Sequence, residues 1–208
     1  MKINTIKFNK KQIIPPEKDR EVKGLIITVA LFASGMIIGS GLYNYQNNNI
    51  TDILNNVFFQ NIHFQNYSVF HSLINEIIVN IFFLALIFFS GISCAGIPVI
   101  ILTVFIKGMS TGMLAGFLFS SYSINGICYY LITILPAYVF LNACFLISAN
   151  NSYFLSWDIT SIIMDKMQPD KSLIKGYIIK MCPMLLFSII ASLISVFLKK
   201  AFNGLFSF

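Results

Sequence analysis

The residue whose chemistry most needs an account is Lys107, the one charge in the 44-residue apolar stretch 77–120. A helix needs about 20 apolar residues to cross a hydrocarbon core of about 30 Å, so this stretch predicts two spans. If the second span begins near Ile97, Lys107 lies about 15 Å deep, at the bilayer midplane. A lysine there costs roughly 2.5–3.5 kcal/mol. About a dozen apolar residues of the same span contribute roughly −6 kcal/mol, so insertion is still favoured.

Two interpretations of Lys107 stay open. In the first, the charge faces the interior of a helix bundle and lines a polar path, which would make Lys107 functional. Alternatively, the helix breaks at Lys107 and Gly108, or the amine extends toward the membrane surface. Glu76 and Asn80 are the other candidate polar residues, because they share a helix face at i, i+4 near the start of the preceding span. A carboxylate at a helix N-terminus is also favoured by the helix dipole alone.

The remaining polar residues do not indicate catalysis. His63 and His71 have no partner at metal-ligand spacing, and the four cysteines stand singly in apolar runs. The chain has no nucleophile elbow, zinc-protease or phosphate-loop motif. Lys180 precedes a long apolar run and is interpreted as an interfacial anchor. The sequence therefore predicts no enzyme, no cofactor and no metal site.

Composition sets the class of the protein. Only 11% of the 208 residues are charged and 57% are hydrophobic, whereas a soluble domain carries about 25% charged residues. Seven of the 14 Lys and Arg lie in residues 1–23, which indicates a cytoplasmic tail by the positive-inside rule and argues against a nucleic-acid partner. We predict an all-α polytopic transmembrane helix bundle with amphipathic interfacial helices, in contact with membrane lipid. The predicted transmembrane domain is 24–208, with about five spans at 24–43, 75–95, 97–120, 127–149 and 177–198.

Glycines and prolines predict how the spans meet. Glycines four residues apart let two helix backbones approach closely in lipid. One such face is Gly35 and Gly39; another is Gly108, Gly112 and Gly116. The chain is expected to turn between Gly91 and Pro98, with Gly96 in the turn and Pro98 in the first turn of the next helix. Pro136 lies inside the fourth span as a second predicted helix break. Homo-oligomerisation through such faces is left open.

Two segments outside the spans have apolar residues at helical spacing. In the outer loop 44–73, the pattern over 50–62 suits a helix on the membrane surface, on a partner or on its own bundle. In the inner loop 150–175, Trp157 and its apolar neighbours predict an interfacial helix. Five spans place the C-terminus outside, and Lys199 and Lys200 are then two outer charges against the positive-inside rule.

The centre of the chain resembles the stage II sporulation protein M family. The resemblance rests on Asn75-Glu-Ile-Ile-Val-Asn80, Phe89-Ser-Gly91, Gly96-Ile-Pro98, and Lys107-Gly108 followed by Gly112, with Leu135-Pro136 and Phe140 in the next span. Some family members carry His and Glu shortly after Leu-Pro, where this chain has Ala137 and Leu141.

The resemblance implies a bacterial cell-membrane protein that acts as a non-enzymatic scaffold. It would anchor a peptidoglycan-remodelling complex with stage II sporulation proteins D and P, which thins the septal cell wall so that the forespore can be engulfed. A permease or channel-like subunit that uses Lys107 is the alternative. Little intramembrane charge and no evident repeat between halves count against it.

Overall fold

The computed structural model describes residues 17–45, 69–164 and 171–202, which form long helices and contain no strand. Each of the five helical spans is long and apolar enough to cross a membrane. The predicted all-α transmembrane bundle with about five spans is confirmed. The helices are α1 (Glu17–Tyr45), α2 (Val69–Ile92), α3 (Gly96–Tyr129), α4 (Leu135–Met164) and α5 (Lys171–Phe202).

Successive helices run in opposite directions. At one end of α2, Glu76 contacts Lys199 of α5, and at its other end the Phe88 carbonyl accepts a hydrogen bond from Tyr177. Helices α3 and α4 pair in the same antiparallel way. By contrast, α1 runs parallel to α3, since Gly35 faces Phe105 and Gly39 faces Met109. This alternation is what five successive membrane crossings require, with the start of α1 and the α2–α3 turn at the same end.

The turn between α2 and α3 lies within the predicted stretch. It occupies residues 93–95, where the Ser93 amide donates to the Ser90 carbonyl over 3.1 Å and the Gly96 amide donates to Ser93 over 3.2 Å. Pro98 is the third residue of α3, where its missing N–H costs no helical hydrogen bond. A side chain on Gly96 would overlap the Ser90 carbonyl, so the glycine allows this tight return.

Helices α3 and α4 join through a helical reversal. The rings of Phe119 and Tyr130 lie 5.6 Å apart, so the chain turns back between these residues, within the last turns of α3. Residues 130–134 form a π-helical turn in which the Leu135 amide donates to the Tyr130 carbonyl. Pro136 follows directly and cannot donate to the carbonyl four residues earlier, which accounts for the wider turn. The predicted break at Pro136 is therefore a π-helical turn within continuous helix.

The C-terminal end of α4 differs from the prediction. Helix α4 continues to Met164, so residues 150–164 extend the fourth span and are not part of a separate interfacial helix. Trp157 is exposed on this extension and stacks on Tyr153, as an interfacial aromatic does. Helix α1 likewise begins within the predicted tail, at Glu17. The amphipathic segment 50–62 lies outside the described residues.

Helix α1 packs on α3 along the two predicted glycine faces. A Cβ built on Gly35 would lie 2.5 Å from the Phe105 carbonyl oxygen, and one on Gly112 would overlap the Met36 carbonyl. Gly39 and Gly108 are equally constrained by backbone atoms of the opposite helix. We call these four glycines the glycine seam. Gly116 is buried one turn beyond it.

The bundle has an apolar core and an apolar outer surface. Ile87, Ile100 and Val104 are fully buried, with Phe145 and Ala149 of α4 packed around them. On the outside, large apolar side chains such as Ile37 and Phe197 are exposed. An apolar exterior of this kind fits contact with lipid acyl chains.

Candidate functional site

The Lys107 ammonium points into the bundle. Its side chain is 8% exposed, and Nζ donates a hydrogen bond to Asn80 Oδ1 of α2 over 2.9 Å. The same ammonium lies 4.9 Å from the centre of the Phe83 ring, a cation–π distance. Helix α3 is continuous through Lys107 and Gly108. Of the interpretations left open by the sequence, the structure therefore matches a buried charge, and neither a helix break nor an extended amine.

One helical turn from Asn80, Glu76 forms a buried ion pair. Lys199 Nζ of α5 donates to Glu76 Oε2 over 2.7 Å, and both side chains are buried. The Lys199 ammonium also lies 5.6 Å from the centre of the Tyr138 ring of α4. Because truncating one partner of such a pair leaves an uncompensated charge in an apolar interior, the pair ties α2 strongly to α5.

Asn80 binds Lys107 of α3 and also binds α5. Its Nδ2 donates to Ser192 Oγ over 3.1 Å, and Ser192 Oγ donates to the Ser188 carbonyl over 3.0 Å. We call Glu76, Asn80, Lys107, Ser192 and Lys199 the polar junction. It joins α2, α3 and α5 and carries one carboxylate against two ammonium groups, a formal surplus of one positive charge.

A small cavity adjoins the polar junction on its Lys107 side. Lys107, Asn80 and Ser188 line it together with the apolar side chains of Phe83, Leu84, Leu141 and Phe145. It has space for about one water molecule. The side chains that line the cavity come from α2, α3, α4 and α5.

Some buried oxygens near the polar junction have no protein partner. Among the described residues, Glu76 Oε1, Ser195 Oγ and Thr133 Oγ1 accept or donate no hydrogen bond. Thr133 lies in the π-helical turn. Groups of this kind bind internal water in many proteins, because an unsatisfied buried polar atom costs about 1–3 kcal/mol.

A second polar network lies at the end of the bundle where α1 begins and contains no charge. Ser152 and Tyr177 share a hydrogen bond of 2.8 Å, and the Tyr177 hydroxyl also donates to the Phe88 carbonyl over 3.2 Å. Ser156 donates to the Ser93 carbonyl over 2.8 Å. Gly91 makes room for this network, since a Cβ there would lie 2.6 Å from the Tyr177 oxygen.

The structure brings together all three candidate polar residues, Glu76, Asn80 and Lys107, in one site. Lys199 was predicted from the sequence to be a charge outside the membrane, but its ammonium group is buried against Glu76. A signal for this existed: Ser188, Ser192, Ser195 and Lys199 recur at helical spacing and form one polar face on an otherwise apolar helix. Lys180 lies exposed near the start of α1, 3.7 Å from Glu21.

The chemistry available at this site is that of paired charges, amide and hydroxyl groups. In the described parts of the chain, no three His, Cys, Asp or Glu side chains are grouped so that they could hold a metal ion. The sequence model of a family described as stage II sporulation protein M matches residues 28–198, most of the chain and all five helical spans. The chain belongs to the stage II sporulation protein M family. Searches of curated proteins and of solved structures gave no match.

Membership of the stage II sporulation protein M family agrees with the resemblance seen in the sequence. The matched region contains the whole glycine seam and every residue of the polar junction except Lys199, which follows its last residue. Together with five apolar helical spans, the family identifies a multi-pass membrane protein of a sporulation family.

Proposed function

We propose that this protein is a non-enzymatic scaffold that anchors a peptidoglycan-remodelling complex in the membrane of the sporulation septum. The complex would contain stage II sporulation proteins D and P, thin the septal wall and permit engulfment of the forespore. The basic tail would lie in the cytoplasm, so that the ends of α2 and α5 near Glu76 and Lys199 face the wall.

The observation that carries the proposal is the mutual pairing of the intramembrane polar groups. Lys199 binds Glu76, Lys107 binds Asn80, and Asn80 binds Ser192, so that these groups join helices to one another. A static bundle suits an anchor, whose task is to hold partners in place. A permease needs polar groups that face a path through which a solute moves.

The reversal between α3 and α4 supplies an outer surface that suits a partner. Ile124 is 75% exposed, and its neighbours Ile127 and Leu131 are exposed as well. These residues lie at the same end of the bundle as Lys199, the outer end in the proposed orientation. An apolar tip at the membrane border can bind the membrane-proximal part of a wall hydrolase as well as lipid.

The proposal is tested by a clean deletion in the source organism, followed by membrane-dye microscopy during starvation. We expect septa that form but stay flat or bulge, with engulfment incomplete, and rescue by the wild-type chain. Completed engulfment in the deletion strain would refute the septal role. Purification of the tagged chain from sporulating cells then tests the partners, with an Ile124→Asp variant expected to recover less of the two hydrolase-complex proteins than wild type.

One observation favours the alternative, a permease or channel-like subunit. The Lys107 ammonium lines a cavity at the midplane, where a passing solute would meet it. Reconstituted vesicles that transport an ion or small solute, and lose that flux with Lys107→Met, would support transport in place of scaffolding. Flux equal to that of protein-free vesicles would leave the scaffold as the better account.

A further inference from the structure

The charges buried in the bundle do not balance. Among the described residues, the buried charged side chains are Glu76, Lys107 and Lys199. Glu76 is held by Lys199 over 2.7 Å. Lys107 is left with a neutral acceptor, Asn80 Oδ1, and the face of a phenyl ring. An ammonium in a low-dielectric interior needs a counter-charge, because the effective penalty for burying an ion is several kcal/mol.

The position of Lys107 restricts what can supply that charge. It is the twelfth residue of α3, about 16 Å from the helix start and therefore close to the midplane. Lipid phosphates lie at the membrane borders, about 15 Å away. The side chain is also covered by neighbouring helices, so a carboxylate of a partner protein does not reach it. Glu76 also acts electrostatically on Lys107 but already neutralises Lys199, so a small ion from solution can supply the charge that is missing.

The cavity beside Lys107 has the donors that an anion requires. The Lys107 ammonium has N–H groups beyond the one given to Asn80, and the Ser188 hydroxyl lines the same cavity. Among the described residues, this hydroxyl makes no side-chain hydrogen bond. The other walls are apolar and include Phe145, whose ring meets Phe83 edge-on at 90°.

We propose that this cavity binds one small monovalent anion of the halide class, with Lys107 and Ser188 as its hydrogen-bond donors. The cavity volume, that of about one water molecule, excludes phosphate and carboxylates but suits a single small ion. The bound ion would neutralise the polar junction and stabilise the contact of α3 with α2. The anion site fits a scaffold and a permease equally. The result of the deletion experiment therefore neither supports nor contradicts the site.

The test is the thermal unfolding of the full chain in detergent, in sodium chloride or sodium bromide against sodium gluconate at equal ionic strength. A ligand that binds only the folded state raises the melting temperature in a concentration-dependent way. We expect this rise with chloride and bromide, a smaller rise in Ser188→Ala, and none in Lys107→Met. Lys180→Gln removes an exposed cation and should keep the wild-type response.

Two results would overturn the site. A wild-type protein with the same melting temperature in halide and gluconate would show that the cavity holds only water. An equal halide effect in wild type, Ser188→Ala and Lys180→Gln would show a general salt effect on the surface. If Lys107→Met does not fold, the halide response of Ser188→Ala compared with that of Lys180→Gln still distinguishes a bound halide from a general salt effect. Both variants should fold, because neither substitution leaves a buried charge unpaired.

Discussion

Helix α3 is held by two kinds of junction. Its contact with α1 is the glycine seam, where backbone meets backbone and no side-chain hydrogen bond crosses between the described residues. Its contact with α2 includes the polar junction, in which Lys107 of α3 binds Asn80 of α2 and α2 in turn binds α5, through hydrogen bonds of 2.7–3.1 Å and with three charges. In lipid, apolar side chains gain little by leaving the solvent, so close backbone packing and polar bonds are the two available sources of helix association.

The two junctions should fail in different ways. The glycine seam depends on the lack of side chains at its four glycines, so an added Cβ should push α1 and α3 apart. The polar junction depends on matched partners, so removing one partner should harm it more than removing both. The following changes test this difference, starting with the largest expected effect.

Lys199→Met should be the most destabilising change, because Glu76 would stay buried without its partner. Breaking a buried pair from one side typically costs about 3–5 kcal/mol. The double variant Lys199→Met with Glu76→Gln should recover much of that loss, and thermal unfolding in detergent measures both. Lys200→Met is the matched control, since Lys200 is exposed on the next position of the same helix. A double variant no more stable than the single one would show that the charges do not act as a pair.

The position of Lys199 also shows the limit of prediction from sequence. Apolar length and spacing predicted the five spans, and glycine spacing predicted both faces of the seam. Periodicity, however, reports which residues share a face on one helix and not which helices meet. Glu76 and Lys199 are 123 positions apart, so their pairing follows from the packing of α2 on α5. For the same reason, the contacts of Tyr138 with Lys199 and of Ser192 with Asn80 could not be predicted from the sequence. The π-helical turn at Pro136 was missed because a proline alone predicts a break.

Gly112→Ala should have the next largest effect. Its Cβ would overlap the Met36 carbonyl, which belongs to the backbone and cannot rotate away. Overpacking of this kind costs about 1–3 kcal/mol. Gly41→Ala is the control, because nothing lies within 4 Å of a Cβ at that position of α1. Alanine is the better helix former by about 1 kcal/mol, so Gly41→Ala should be neutral or stabilising. Equal behaviour of the two variants would argue against the close approach of α1 and α3.

Tyr177→Phe compares the uncharged network around Tyr177 and Ser152 with the charged polar junction. The substitution keeps the ring, which stacks on Phe88 with 5.5 Å between centres, but removes the hydroxyl shared with Ser152 and the Phe88 carbonyl. A neutral hydrogen bond contributes about 1 kcal/mol net. We expect a loss of that order, well below that of Lys199→Met, with Tyr153→Phe as a control on a less buried ring. A loss as large as that of Lys199→Met would mean that the neutral network, and not the buried ion pair, dominates helix association.

Lys180→Gln should have the smallest effect, although it also breaks an ion pair. Lys180 Nζ lies 3.7 Å from Glu21 Oε1, but the two side chains are 59% and 46% exposed. Solvent and salt screen such a pair, and it typically contributes about 0–1 kcal/mol. We expect unchanged thermal unfolding at moderate salt, in contrast to Lys199→Met. If Lys180→Gln instead destabilises the protein markedly and high salt removes the difference, the ion pair of Lys180 with Glu21 stabilises the contact of α1 with α5. In that case the exposed pair of Lys180 with Glu21 would also stabilise the bundle, and the packing of α1 would depend on this ion pair as well as on the glycine seam.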